Sequence, residues 1–243
     1  MGLLILFSWF GVLPMVQPEM SVSNAVTSRR SVRAFSNRPV DGQLVRRLLD
    51  VARQAPSGGN LQPWHVTVLA GEPLASLMAL MQERMSAGLR SPEGAGYEIY
   101  PASLPEPYLT RRERCTEMMY ATMGIARADK PARIAFVKQN FQFWSAPVGM
   151  FFSIHRAMGP PQWSDLGMFI QTVMLLAREA GLHTCPQEAW TNWHSVVARH
   201  IELPPERMLF CGLALGYPDD SQPVNSLRTE RAALSEIADF RGL

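Results

Sequence analysis

Arg29-Arg30-Ser31-Val32-Arg33-Ala34-Phe35, followed about twenty residues later by Ala55-Pro56-Ser57-Gly58-Gly59-Asn60-Leu61-Gln62-Pro63-Trp64, is the part of the chain on which its reading turns. The first stretch puts three guanidiniums and a hydroxyl within five residues, where a helix gives way to an extended segment. Arginine offers a planar fork of donors that matches a phosphate bidentately. In an extended segment alternate side chains share a face, so Ser31 and Arg33 point together. Basic residues at a helix end also complement its dipole, so the cluster alone fits either use. In the second stretch Pro56 and Pro63 fix the chain at both ends, and Gly58 and Gly59 allow close approach of backbone to a ligand. Ser57, Asn60 and Gln62 supply neutral donors and acceptors, and Trp64 a flat wall. A capped surface loop has the same composition.

Around these stretches the pattern reads as one α+β domain. A short helix opens at Ser23-Asn24 and runs to about Arg30. Asp41 caps a second helix to Gln54, whose apolar face is Leu44, Val45, Leu48, Leu49 and Ala52. Residues 65–70 read as a strand, and Pro73 starts a helix to about Ala87. Residues 91–107 are rich in Pro, Gly, Ser and Tyr and are long for a connection, which points to a functional loop or lid. A helix follows over 110–124 and a strand over 147–155. Ser164 is the expected cap of the longest helix, ending at Ala180 with Gly181 as its stop. That helix is apolar nearly all round, so a central core or a subunit interface is its natural place. Thr191 is expected to cap a helix to about Ile201, and 208–215 form the last clear strand. The segment 211–216 imitates a membrane GxxxG but is too short to span, so close strand packing is the reading for Gly212 and Gly216. A polar tail from Tyr217 must wrap over something.

Composition sets limits on function. Of 243 residues 47% are hydrophobic and 18% charged, below the ~25% usual for soluble domains. Lys and Arg number 23 against 21 Asp and Glu, so no global field draws nucleic acid. Three scattered cysteines, Cys115, Cys185 and Cys211, form no disulfide framework and fit a cytoplasmic home. No Rossmann glycine motif, P-loop, HExxH or Cys/His ligand spacing occurs, so neither a zinc nor any other metal site is expected. His194 and His200 are six apart and fall on different helix faces. Residues 1–20 are an apolar extension outside the fold. Pro14 interrupts it and no Lys or Arg precedes Arg29, so neither a stable span nor a secretory signal is expected. An over-long start, with translation from Met15 or Met20, and a weak anchor are the two readings of it.

The two quoted stretches, in this order and joined by one amphipathic helix, resemble the nitroreductase family of FMN-dependent oxidoreductases. The apolar helix to Gly181, the strand running into Pro218 and Arg228 near the end extend the likeness over residues 21–243. The middle segment, with Tyr100-Pro-Ala-Ser-Leu-Pro-Glu-Pro-Tyr108, is similar to the nitrobenzoate-reductase branch. The resemblance implies a three-layer α+β fold, a central mixed or antiparallel sheet flanked by helices, in an intertwined homodimer with two FMN molecules at the interface. It implies Arg29 and Arg228 on the FMN phosphate with Arg30 in the same cluster, Ser31 on the pyrimidine edge, and Arg33 near flavin N1 and O2. Pro56, Ser57 and Asn60 would reach FMN from the other subunit. Gln187 and Glu188 stand where the family approaches N5 and O4 through backbone groups, although Ala189 replaces the usual glycine after the acid. Arg231 is a further phosphate candidate. The activity implied is ping-pong hydride transfer from NADH or NADPH through flavin N5 to a small aromatic acceptor, a nitrobenzoate-like nitroaromatic or a quinone. Water can supply the protons, so no catalytic acid or base is named. The same fold also hosts ene reduction, dehalogenation, flavin fragmentation and flavin holding without turnover.

Overall fold

The computed structural model describes residues 20–86 and 88–243. The apolar head lies outside the described residues, apart from its last residue. Four strands form one sheet in the order β1-β2-β4-β3: β1 (Trp64–Ala70), β2 (Val148–His155), β3 (His183–Gln187) and β4 (Arg207–Gly216). Every neighbouring pair is antiparallel. A parallel bridge from Ser31 to Thr184 adds the arginine segment to the outer edge of β3, and Phe35 bridges Pro218.

β2 organises the core because it is buried on both faces, from Val148 through Ile154. Its side chains alternate between two layers. Met150, Phe152 and Ile154 face α2 (Gly42–Ala52) and α6 (Pro160–Glu179), meeting Val45, Leu48, Leu166, Phe169 and Val173. Phe151 faces the other way, towards α3 (Gly71–Arg84), Phe141, Phe143 and Trp190. The result is the expected helix-sheet-helix sandwich. Gly212 on β4 is required by this packing, since a Cβ there would overlap the Trp190 indole. The GxxxG imitation is therefore close strand packing.

Several expected boundaries move. α1 runs over Val22–Ser28 and is capped by Ser21, whose Oγ accepts from Asn24 N at 3.1 Å, rather than by Ser23 or Asn24. Asp41 does cap α2, accepting from Gln43 N at 2.9 Å. α3 starts at Gly71 and ends at Arg84. α4 spans Tyr108–Thr122. Ser164 lies inside α6, which starts four residues earlier at Pro160, because proline suits a first turn whose amides have no partner. Thr191 sits within a 3-10 turn, Glu188–Trp193, and α7 (His194–His200) follows it. Two elements were not anticipated, α5 (Lys130–Lys138) and β3.

The segment 88–107 is irregular, and its first half is docked rather than free. Ser91 N donates to Asn192 O at 3.0 Å, Gly96 N to Thr191 O at 3.0 Å, and the Tyr97 hydroxyl to Phe210 O at 2.6 Å. Burial raises the Tyr97 pKa, so the phenol stays protonated. The chain then turns into β2 through Phe143, Trp144 and Ser145, three consecutive non-glycine residues with φ of 47°, 56° and 64°. Such a run costs roughly 1–2 kcal/mol per residue. Burial of Phe143 and Trp144, and the Trp144 carbonyl accepting from Phe35 N at 3.1 Å, hold it in place.

Candidate functional site

The arginine segment is positioned by backbone pairing on both sides. Val32 N donates to Thr184 O at 3.0 Å, and Ser36 N to Tyr217 O at 2.9 Å. Val32 points into the core, and Ser31 and Arg33 on either side of it share the other face, as their spacing predicts, before Phe35 turns inward again. The tail then folds back against this segment. Asn225, buried in a short 3-10 turn, is the clasp: its Oδ1 accepts from Arg33 N at 2.9 Å and its Nδ2 donates to Ala34 O and Asp219 O, each at 2.8 Å. This residue was not singled out in the sequence, where nothing distinguishes it from any other asparagine of a polar tail.

The clasp brings together residues that are about 200 positions apart. Arg29, Arg30, Ser31, Arg33, Arg228 and Arg231 line one cavity of about 530 Å³, with Val26, Thr27, Cys115, Leu227 and Thr229 completing the wall. Among the described residues the only carboxylate paired with any of these guanidiniums is Asp220, 3.0 Å from Arg30 and largely exposed. Arg228 Nη1 instead donates to the carbonyls of Asn225, Ser226 and Leu227, and Arg231 Nη1 to those of Thr229 and Glu230. Burial lowers the pKa of Arg29 and Arg30, and repulsion from Arg231 and Arg228 respectively lowers each further. Five guanidiniums with one exposed carboxylate make a strongly electropositive cavity, whose charge suits a multiply charged anion.

Gln187 and Glu188 stand at the far end of β3, three residues beyond Thr184, or about 10 Å of strand from the cavity. Gln187 is buried, and its Nε2 donates to Asn140 O at 2.6 Å. Glu188 keeps an exposed surface, while crowding around its carboxyl raises its pKa. Pro56, Ser57 and Asn60 lie elsewhere. Their loop is tied to α6 by Gly58 N donating to Asp165 Oδ2 at 3.2 Å, and Ser57 Oγ accepts from Gln62 N at 3.0 Å. One chain does not bring these three to its own arginine cavity. No cluster of metal-ligating side chains occurs among the described residues, and no helix among them is long and apolar enough to cross a membrane.

Known proteins resemble this chain over nearly its whole length. The 4-nitrobenzoate reductase of Pseudomonas putida is 37% identical over 217 residues, covering 89% of this chain and 94% of that protein. The chloronitrobenzene nitroreductase of Comamonas testosteroni is 34% identical over 221 residues, covering 90% and 96%. The crystal structure of the FMN and NADPH-dependent nitroreductase NfnB from Sphigopyxis sp. strain HMH superposes with a TM-score of 0.88 at 44% identity, over 92% of this chain and all of that one. The profile of the Nitroreductase family matches residues 26–217, which takes in the arginine segment, the glycine loop and the whole sheet. By sequence and by fold, this chain belongs to the Nitroreductase family.

Proposed function

We propose that this protein is an FMN-dependent oxidoreductase that uses NADPH or NADH to reduce nitroaromatic acceptors of the nitrobenzoate type. The observation that carries the reading is the arginine cavity: a carboxylate-poor set of guanidiniums assembled from both ends of the chain, on a segment that bridges the strand ending at Gln187. When bound, FMN supplies two-electron chemistry between a nicotinamide and a flat acceptor. The residues present fit it. Arg29 and Arg228 hold the phosphate, with Arg30 and Arg231 flanking it. Ser31 bonds the pyrimidine edge, and Arg33 places a fixed cation where negative charge gathers on reduction. Backbone groups of Gln187 and Glu188 would approach the reactive edge of the flavin. No side chain is assigned a proton transfer, because water can supply the protons.

The site is completed by a second copy of the chain. Pro56, Ser57 and Asn60 are needed at the cofactor and are absent from their own chain's cavity. Exposed Val22, Val26, Val51, Leu61 and Met168 on or near α1, α2 and α6 give that copy an apolar surface to cover.

Purified protein is expected to be yellow, to release FMN on denaturation, to scatter as a dimer, and to oxidise NADPH or NADH when 4-nitrobenzoate is supplied. A colourless monomer that cannot be reconstituted with FMN overturns the reading. A yellow dimer that never consumes the nitroaromatic leaves FMN binding standing and removes the reaction.

A further inference from the structure

α6 carries a buried carboxylate that no basic side chain answers. Asp165 is 6% exposed, and none of the ion pairs among the described residues includes it. A carboxylate taken out of water needs a partner. Among the described residues the partner of this side chain is a backbone amide, Gly58 N, which donates to its Oδ2 at 3.2 Å. Phe169 lies one turn further along the same face of α6 and stacks on Trp64, with ring centroids 4.8 Å apart and planes 9° from parallel. One helix face therefore grips the glycine loop near its start and at its end. Between those points the loop holds its own shape. Asn60 N donates to Ser57 O at 2.9 Å, Leu61 N to Gly58 O at 3.2 Å and Gln62 N to Ser57 Oγ at 3.0 Å. Gly59, Asn60 and Gln62 take φ of 58°, 55° and 49° inside this frame. Pro56 and Asn60 are exposed and Ser57 is half-buried, so the loop presents them outward from its own chain. Internal bonds fix the form of the loop, and Asp165 sets where its leading end stands.

We propose that Asp165 is a positioning residue for the cofactor site of the other subunit. Its charge-assisted bond orients the peptide between Ser57 and Gly58, and so holds Pro56, Ser57 and Asn60 where they close the second copy's arginine cavity. Without that bond the loop keeps its internal hydrogen bonds but swings about its Trp64 end. Binding FMN must then also order the loop, and affinity falls. The effect is delivered in trans, from a carboxylate on one chain to the cavity of the other. This rests on the cavity being the FMN phosphate site and on a second copy completing it. What the role requires of residue 165 is an acceptor oxygen at the Gly58 amide. An asparagine side chain supplies one and an alanine side chain does not.

FMN titration of the flavin-free full-length protein, followed by flavin fluorescence, is the first measurement. Asp165→Ala is expected to bind FMN about tenfold more weakly than the wild type, and Asp165→Asn within about threefold of it. The deciding measurement uses a mixed dimer, purified through two different tags, of one Asp165→Ala chain and one Arg228→Ala chain. One cavity of that dimer sets an intact Arg228 against an intact loop, and the other combines both defects. The expected result is about one FMN per mixed dimer bound with wild-type affinity, which neither parent dimer shows. A mixed dimer without such a site overturns the inference, because the Asp165→Ala defect then stays on its own chain. Asp165→Ala binding FMN as tightly as the wild type overturns it too. Should Asp165→Ala fold poorly, Gly58→Pro removes the same bond from the loop side, where the extended backbone of Ser57 accepts a following proline. The same weakening is expected there, and wild-type affinity overturns the inference. A wild-type protein that binds no FMN removes the proposed function and the inference together, whereas tight wild-type binding beside any of the overturning results leaves that function standing.

Discussion

Arg228→Ala is expected to weaken FMN binding about ten- to a hundredfold, the loss of one charge-assisted bond of roughly 1.5–3 kcal/mol, while the midpoint potential of the flavin that still binds stays at the wild-type value. Arg33→Ala is expected to do the reverse. The argument is positional. Arg228 is held on the carbonyls that end the 3-10 turn, on the tail side of the cavity, and meets charge that is the same in both redox states of the cofactor. Binding energy common to both states sets occupancy and not the chemical step. Arg33 is anchored differently. Its backbone is gripped by Asn225, and its guanidinium keeps only a long 3.4 Å contact to Ser31 O. It is therefore free to answer charge that gathers on reduction. For a two-electron couple about 1.4 kcal/mol corresponds to about 30 mV, so losing one such contact is expected to lower the potential by several tens of millivolts. Spectroelectrochemistry of the two variants, with FMN affinity from fluorescence quenching, checks both halves. An unchanged potential in Arg33→Ala makes that side chain a solvated charge at a strand edge and removes it from the site.

Trp190→Ala is expected to cost about 3–5 kcal/mol of stability, lowering the melting temperature by roughly 6–20 °C. Trp190 is fully buried, with ring centroids 5.3 Å from Phe141, 4.7 Å from Phe143 and 5.1 Å from Phe151, and its indole fills the space that Gly212 leaves open. The surrounding rings come from the strained turn and from β2, so they cannot collapse into the void without unseating the sheet. The cost reaches the site as well. Trp190 Nε1 lies 3.5 Å from Gln187 Oε1, and Gln187 in turn holds Asn140 O. The variant is therefore also expected to lose flavin more readily on dilution. Urea unfolding with and without FMN measures both effects, and a loss below about 1 kcal/mol would show that the pocket repacks.

Local pattern carried much of this fold. Asp41 and the one-sided apolar set of α2 predict that helix because a cap and a 3.6-residue period are properties of neighbouring residues. The apolar run of 148–154 predicts β2 for the same reason, whereas the residue types of Arg29, Arg30, Ser31 and Arg33 fit an anion site and a helix end equally, and only the resemblance to the family separates the two. β3 has no signal in the sequence: His183-Thr-Cys-Pro-Gln187 shows no alternation, because both faces of the strand are covered, one by α6 and the other by the layer that holds Trp190. Ser164 looks like a cap in the sequence, whereas α6 opens four residues earlier on Pro160. The site divides along the same line. The arginine cluster of 29–33 is visible in the sequence and Arg228 and Arg231 enter through the resemblance, but only the folded molecule joins them, since Asn225 clasps Arg33 and Ala34 across about 190 residues. Asn225 and Trp190 carry no signal of their own in the sequence. Their roles come from burial and from what stands opposite them, and charge and desolvation depend on distance in space, which a linear spacing does not contain.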